Sequence, residues 1–143
     1  AIFEVYDKTA DAYVTTLASG QLMITGEEKD EEYEISKKED FSKIIKTVKT
    51  DENKQIVLDI DDDIYYSRKV GDDKVTKHVV KDGKAVLADA IYGHEYEFKE
   101  IKAPTSYQLA DKSKAYKVEA DEETDTIIYY FENARIVVPN TGV

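Results

Sequence analysis

Two polar side chains end rows of apolar residues, and they are the first candidates for chemistry. The run YEFKE ends on Glu100 and the run IIYYFEN ends on Asn133, and in both runs every second residue is apolar or aromatic up to that position. Alternate residues of a strand share one face, so both side chains would point to the side on which the aromatic rings pack. A buried carboxylate or amide needs a partner. These residues are therefore either functional or placed at strand ends near solvent.

Most of the chain consists of short alternating runs that are typical of β-strands. The runs are rich in β-branched and aromatic residues and are bounded by polar turns. Pro104 and Pro139 lie outside them, as expected because proline cannot donate to a sheet ladder. We therefore predict a mainly β fold. The predicted strands are 2–7, 12–24, 54–60, 63–70, 74–80, 84–91, the run within 96–104 that precedes Pro104, 114–120 and 126–138.

One segment has the periodicity of a helix. In SKKEDFSKIIKTVK (36–49) the apolar residues are spaced i, i+3, i+4 and i+7. Ser36 and Glu39 form the S-x-x-E capping-box pattern just before them. We therefore predict a helix here, inside an insertion at about 27–80 of α+β character. The acidic run 27–34 is expected to be a solvated linker to it. The apolar positions are Phe41, Ile44, Ile45 and Val48.

Length, charge and composition limit the class of protein. The 143 residues, of which 41% are hydrophobic, suit one folded domain, which we place at 1–136. The net charge of −11 disfavours nucleic acid and anionic lipid as partners. There is no cysteine and no apolar run of 18 residues, so disulfides, thiolate metal sites and a membrane span are not expected. His78 and His94 have no recognisable serine or metal partner, which argues against a hydrolase.

An acidic cluster at DIDDD is a weak candidate for a metal site. Asp59, Asp61 and Asp63 stand at alternate positions. An EF-hand loop that began at Asp59 would need glycine at its sixth position and glutamate at its twelfth. Ile64 and Val70 stand there instead. We therefore expect a solvated turn, with no metal and no cofactor.

Four stretches resemble one known family. YEFKEIKAPTSY (96–107) resembles the Y-x-F-x-E-x-x-A-P-x-x-Y signature of CnaB-type domains, which are prealbumin-like, inverse-immunoglobulin-like β-sandwiches of Gram-positive pilins and adhesins. AIFEVYDK (1–8) is similar to the early strand of the family, without its glycine, and TIIYYFENARI (126–136) is similar to its final strand. KDGKAVLADAIYGHEYEF (81–98) is similar to the segment that leads into the signature. The resemblance covers more than half of the chain and implies a CnaB-like β-sandwich.

A second motif follows the final strand. VPNTG resembles the L-P-x-T-G signal that sortase transpeptidases read, and we take 137–143 as a sorting-signal segment. The resemblance implies that Thr141 forms the acyl link to sortase and then to an amine of a neighbouring pilin subunit or of peptidoglycan. The apolar span and basic tail of such signals do not follow in this sequence, so we expect a chain cut after the signal. The motif residues are Val138, Pro139, Asn140, Thr141 and Gly142.

The resemblance also implies a covalent cross-link. In this family a lysine attacks an asparagine or aspartate of the final strand, a buried acid shuttles the protons, and an isopeptide bond forms. By resemblance Glu100 is the acid/base and Asn133 is the electrophile. The family's lysine lies on a strand that precedes the segment beginning at Ala1, and Lys8 lies after it and is not assigned the role. The lysine is expected upstream of Ala1, or it comes from another molecule as an added strand, or no bond forms.

These observations predict a structural and adhesive module, not an enzyme with turnover. The protein would be a pilin or adhesin anchored to the cell wall of a Gram-positive bacterium, exposed outside the cell, with no membrane segment in its mature form. Its partners would be sortase, neighbouring pilin subunits or peptidoglycan, and a host ligand, and the insertion at 27–80 is a candidate carrier of adhesion. The alternative is a ligand-binding surface domain for a host protein or glycan that makes no cross-link.

Overall fold

The described part of the chain is built of antiparallel strands. The structure is a computed structural model that describes residues 1–109 and 114–117. These residues contain no helix, and hence none that could span a membrane. The mainly β class predicted from the sequence is confirmed. The strands are β1 (Ile2–Asp7), β2 (Ala12–Ala18), β3 (Gln21–Thr25), β4 (Glu32–Ser36), β5 (Ile44–Lys49), β6 (Gln55–Asp59), β7 (Asp63–Lys69), β8 (Thr76–Lys81), β9 (Lys84–Ala85), β10 (Glu95–Lys102) and β11 (Lys114–Lys117).

The strands form three sheets. A four-stranded sheet has the order β11-β10-β1-β2, so that the first strand of the chain lies between β10 and β2. A two-stranded sheet consists of β3 and β6, and a five-stranded sheet has the order β5-β4-β7-β8-β9. The first sheet joins the others through the close approach of β2 to β3 and to β9.

The hydrophobic core lies where the two-stranded sheet meets the five-stranded sheet. β3 and β6 contribute side chains from one side, and β4, β7 and β8 contribute them from the other. The segment 27–80, which we predicted to be an insertion, therefore shares its core with β3. The buried residues are Leu22, Ile24, Ile35, Ile56, Tyr65 and Val80.

The predicted helix at 36–49 is wrong. The second half of this segment is β5, which pairs with β4 in antiparallel register. Ile44, Ile45 and Val48 are β-branched, and such side chains are stiff in a helix and pack well on a pleated sheet. The edge of β4 offers this segment a ladder of backbone hydrogen bonds, with one register shift between Ile35 and Ser36, and a strand therefore forms in place of the helix.

The first half of the same segment is an irregular connection closed by Ser36. Its Oγ lies 2.8 Å from the carbonyl oxygen of Lys38 and 2.9 Å from that of Lys43, and it accepts a hydrogen bond from the N–H of Lys38. Phe41 has a positive φ of 58° and is buried, with the guanidinium of Arg68 4.0 Å above its ring. The serine expected to cap a helix therefore closes the β4–β5 turn.

We expect Ser36→Ala to lower the free energy of unfolding by about 1–2 kcal/mol, because it removes the buried hydroxyl group that hydrogen-bonds part-buried backbone groups of the turn. Urea unfolding followed by circular dichroism measures the change. Thr47→Ser, at an exposed position of β5, is the matched control and should change stability by less than about 0.5 kcal/mol. Equal effects of the two substitutions would contradict this account of the turn.

The acidic run 27–34 is more ordered than a solvated linker, because β4 begins inside it. Glu31 is buried, and its carboxylate accepts hydrogen bonds from the backbone N–H groups of Glu27 and Glu28. Its second oxygen lies 2.7 Å from the Nζ atom of Lys69. The contact with Lys69, followed by the backbone hydrogen bonds, lowers the pKa of Glu31. The run therefore folds around one ionised glutamate and not as a free chain.

Candidate functional site

Glu100 lies towards the end of one of the two inner strands of the four-stranded sheet. It is on β10, directly opposite Phe3 of β1, and it is only 5% exposed. Tyr96 lies four residues earlier on the same strand, on the same face, and is also buried. The sheet thus places one carboxyl group on a face that also buries aromatic side chains.

Of the two residues assigned to the expected cross-link, the structure describes Glu100. Asn133 and the sorting motif at 138–142 lie outside the described residues. Lys8 pairs with Glu95 at 3.4 Å, at the opposite end of β10. Glu95 and Glu100 are five residue steps apart along the strand, which corresponds to about 17 Å. Lys8 is therefore badly placed to react near Glu100, and the acid/base role of Glu100 stays a prediction.

His94 has a partner in Asp7, at the end of the sheet far from Glu100. The Nδ1 atom of His94 lies 2.7 Å from Oδ2 of Asp7, whose other oxygen accepts hydrogen bonds from the N–H groups of Thr9 and Ala10. Burial alone would raise the pKa of Asp7, but the hydrogen bonds with His94 and the backbone outweigh it and lower the pKa. The pair holds the turn after β1 against the start of β10.

His78 has a serine partner, which we did not predict. Ser67 on β7 and His78 on β8 are joined by a hydrogen bond of 2.7 Å between Oγ and Nε2. Ser67 is buried, and burial lowers the pKa of His78 to about 4, with Asp89 acting weakly in the other direction. The imidazole is therefore neutral at pH 7.

The sequence contains a signal for this pair. The polar connection GDD at 71–73 suggests that β7 and β8 form a hairpin. In the observed register Tyr65 stands opposite His78, so Ser67 is the diagonal neighbour of His78 on the same face. The contact between the two side chains could have been predicted by assigning the residues of both strands to faces and pairing the strands as a hairpin. The pattern of either strand alone does not predict it.

The Ser67–His78 pair lines a groove of about 550 Å³. The groove lies between β2 and β3 on one side and β7, β8 and the segment 86–89 on the other. Its volume is within the range of about 300–1,000 Å³ that is usual for ligand sites. The apolar part of its wall includes Val14, Leu17, Met23, Val79, Val86 and Leu87.

The acidic cluster at 59–63 makes contacts within the protein. Oδ1 of Asp59 accepts a hydrogen bond from the side-chain amide of Gln21 at 2.7 Å. Asp63 lies 3.4 Å from the Nζ atom of Lys37. Across the described residues, no group of three or more histidine, aspartate or glutamate side chains is placed to hold a metal ion.

Two features of the described chain therefore bear on function: the buried Glu100 in the four-stranded sheet, and the groove lined by Ser67 and His78. Glu100 lies on β10, which does not line the groove, whereas the groove is lined by β2 of the same sheet and by β3, β7 and β8 of the other two. The two features can be interpreted only from their own geometry and chemistry, because no protein-family model, no curated protein and no solved structure matches this chain.

Proposed function

We propose that this chain is a structural and adhesive module of the CnaB type, from a pilin or adhesin anchored to the wall of a Gram-positive cell. The observation that carries the proposal is the burial of Glu100, which is only 5% exposed. Glu100 occupies the glutamate position of the signature resemblance in 96–107. The strand that contains it pairs with β1, the strand similar to the family's early segment. Two separately matched stretches are thus neighbours in one sheet.

The proposed chemistry is an isopeptide bond. The Nζ atom of a lysine upstream of Ala1 attacks Cγ of Asn133, and the side-chain nitrogen of Asn133 leaves as ammonia. Glu100 acts as general acid and base, moving a proton from the attacking amine to the leaving nitrogen. A buried site favours this reaction because the lysine is held neutral and the reacting atoms are held together. The product would close the domain covalently in a chain that has no cysteine.

The sorting motif supplies the second half of the proposal. Sortase would cleave after Thr141, hold the threonine as an acyl group and transfer it to an amine of a pilin subunit or of peptidoglycan. The protein is then a substrate and a structural part of the cell surface. It has no turnover of its own beyond the single cross-linking event.

The intact mass of a longer chain that includes the residues upstream of Ala1 tests the cross-link. We expect a mass lower than the sequence mass by about 17 Da, the mass of one ammonia. Glu100→Gln and Asn133→Ala should each abolish the loss, because they remove the proton shuttle and the electrophile. Glu97→Gln is the matched control: Glu97 stands on the opposite face of β10, and the bond should still form in this variant.

An unchanged mass in the longer wild-type chain would contradict the cross-link. The groove at Ser67 and His78 would then favour the second candidate function, a surface domain that binds a host protein or glycan without a cross-link. Its volume of about 550 Å³ and its mixed apolar and polar wall suit a ligand.

A further inference from the structure

Within the described part of the chain, one side of β8 in the five-stranded sheet has a strand partner at its end only. The other side of β8 pairs with β7 along the whole stretch from Thr76 to Val80. On the first side β9 pairs only with Val80 and Lys81. Among the described residues, the backbone groups of 76–79 on that side have no strand partner. A strand edge of this kind is ready to pair with another extended chain.

The open edge of β8 borders the groove, and so does a second open edge. The residues 76–79 and 14–18 both line it. The second stretch belongs to β2, which pairs with β1 on one side and, within the described part of the chain, with no strand on the other. Four residues of strand measure about 13 Å. The groove is therefore bordered by two backbone edges and is long enough for a short extended segment.

The Ser67–His78 pair sets the chemistry of the groove wall. With Ser67 donating to Nε2, the Nδ1 atom carries the ring proton, and no described residue accepts a hydrogen bond from it. In the other tautomer Nε2 carries the ring proton and donates a hydrogen bond to the serine oxygen. Nδ1 is then an acceptor, and the serine hydroxyl group can donate to a ligand. In both tautomers the pair offers donors and acceptors without a net charge. Such a wall matches the N–H and C=O groups of a peptide bond better than a charged group.

Charged side chains around the groove are of both signs. Lys74 and Lys77 line it together with Asp72 and Asp89. A strongly acidic or strongly basic ligand would meet like charges on one side of the groove. The charge pattern therefore favours a ligand with little net charge, held by hydrogen bonds and by contacts with the apolar wall.

We propose that the groove binds an extended, nearly uncharged peptide segment, which adds to the five-stranded sheet as a strand beside residues 76–79 of β8. Backbone hydrogen bonds to β8 would supply the affinity. The alternating side chains would face the apolar wall and the Ser67–His78 pair in turn. This site uses neither Glu100 nor Asn133 nor the sorting motif, so it is independent of the proposed cross-link.

Titration of the isotope-labelled protein with N-acetyl-Thr-Val-Thr-Val-Thr-Val-amide, followed by nuclear magnetic resonance, tests the proposal. We expect shift changes in the backbone amides of 76–79 and in the ring of His78, slower amide exchange in 76–79, and a dissociation constant of about 1 mM or tighter. The same peptide with alternate amides N-methylated keeps its side chains but loses strand donors, and it should bind at least about tenfold more weakly.

Ser67→Ala and His78→Gln should each weaken binding of the unmodified peptide by about threefold to tenfold. His94→Gln is the matched control, because His94 contacts Asp7 away from the groove, and it should change the affinity by less than about twofold. Equal binding of the N-methylated peptide, or shifts confined to β5, would overturn the proposal even where a groove variant fails to fold. Shifts at 76–79 that depend on protein concentration in the absence of peptide would also overturn it, because they indicate that a second copy of the chain binds there. Shifts that appear only with an N-acetylglucosamine trisaccharide would overturn it in favour of a glycan ligand.

Discussion

Tyr65→Ala should lower the free energy of unfolding by about 3–5 kcal/mol, the largest effect that we expect from any single substitution in the described chain. Tyr65 is 1% exposed and belongs to the core between the two-stranded and five-stranded sheets. Its hydroxyl group donates a hydrogen bond of 2.7 Å to the carbonyl oxygen of Asp61. The alanine would therefore leave a cavity and remove the hydrogen bond to the carbonyl group of Asp61. Urea unfolding followed by circular dichroism measures the loss.

The control is Tyr92→Ala, because Tyr92 is 60% exposed and its removal should cost less than about 0.5 kcal/mol. Tyr65→Phe should lose only the hydrogen bond, about 1 kcal/mol.

Amide hydrogen exchange tests the domain organisation. Because β3 shares the core with the segment 27–80, amide exchange should show both protected by one cooperative unfolding event. Loss of protection in 27–80 while β3 stays protected would contradict the shared core.

Acidification from pH 6.5 to pH 4 should destabilise the protein by up to about 3 kcal/mol through His78 alone. Burial lowers the pKa of this imidazole from 6.5 to about 4 in the folded protein. Between these values the unfolded chain binds a proton that the folded chain does not bind, so stability is lost as the pH falls. Each unit of pKa difference corresponds to about 1.4 kcal/mol. Thermal or urea unfolding at several pH values measures the slope.

His78→Gln should flatten the stability profile over this pH window, because glutamine can keep a hydrogen bond to Ser67 but does not titrate. The variant should still lose stability at more acid pH, because carboxyl groups with lowered pKa values titrate there. Asp7 and Glu31 have lowered pKa values in the folded protein. Their stabilising contributions are present above the unfolded pKa and are lost as the pH falls through the lower, folded value. An unchanged slope between pH 6.5 and 4 in His78→Gln would show that the imidazole is not desolvated.

Some features of the described chain follow from local residue patterns. Alternating apolar residues predicted β1, β10 and the mainly β class, and the polar runs between them predicted turns. The pattern in 96–100 placed Glu100 on the face of Tyr96, and both side chains are buried. Such features are local because a strand of period two assigns each side chain to a face without reference to distant residues.

Other features needed the pairing of distant strands. The spacing of Phe41, Ile44 and Val48 fits a helix as well as an irregular connection followed by a strand, and the free edge of β4 selected the strand. The ion pair of the buried Glu31 with the exposed Lys69 joins an acidic run to the far end of β7. A local residue pattern does not predict a contact between residues so far apart in the chain.

The local pattern of residues was sufficient for the class of the fold and for placing Glu100 on the same face as Tyr96, but the choice between a buried side chain and a strand end near solvent needed the tertiary structure. The register of β7 against β8 placed Ser67 at 2.7 Å from His78, and β9 ends so early that no strand among the described residues pairs with that side of 76–79 along the groove. Both depend on where neighbouring strands start and stop, which is set by packing across the core and by hydrogen bonds between segments distant in sequence. The chemistry of the groove is therefore a property of the assembled sheets.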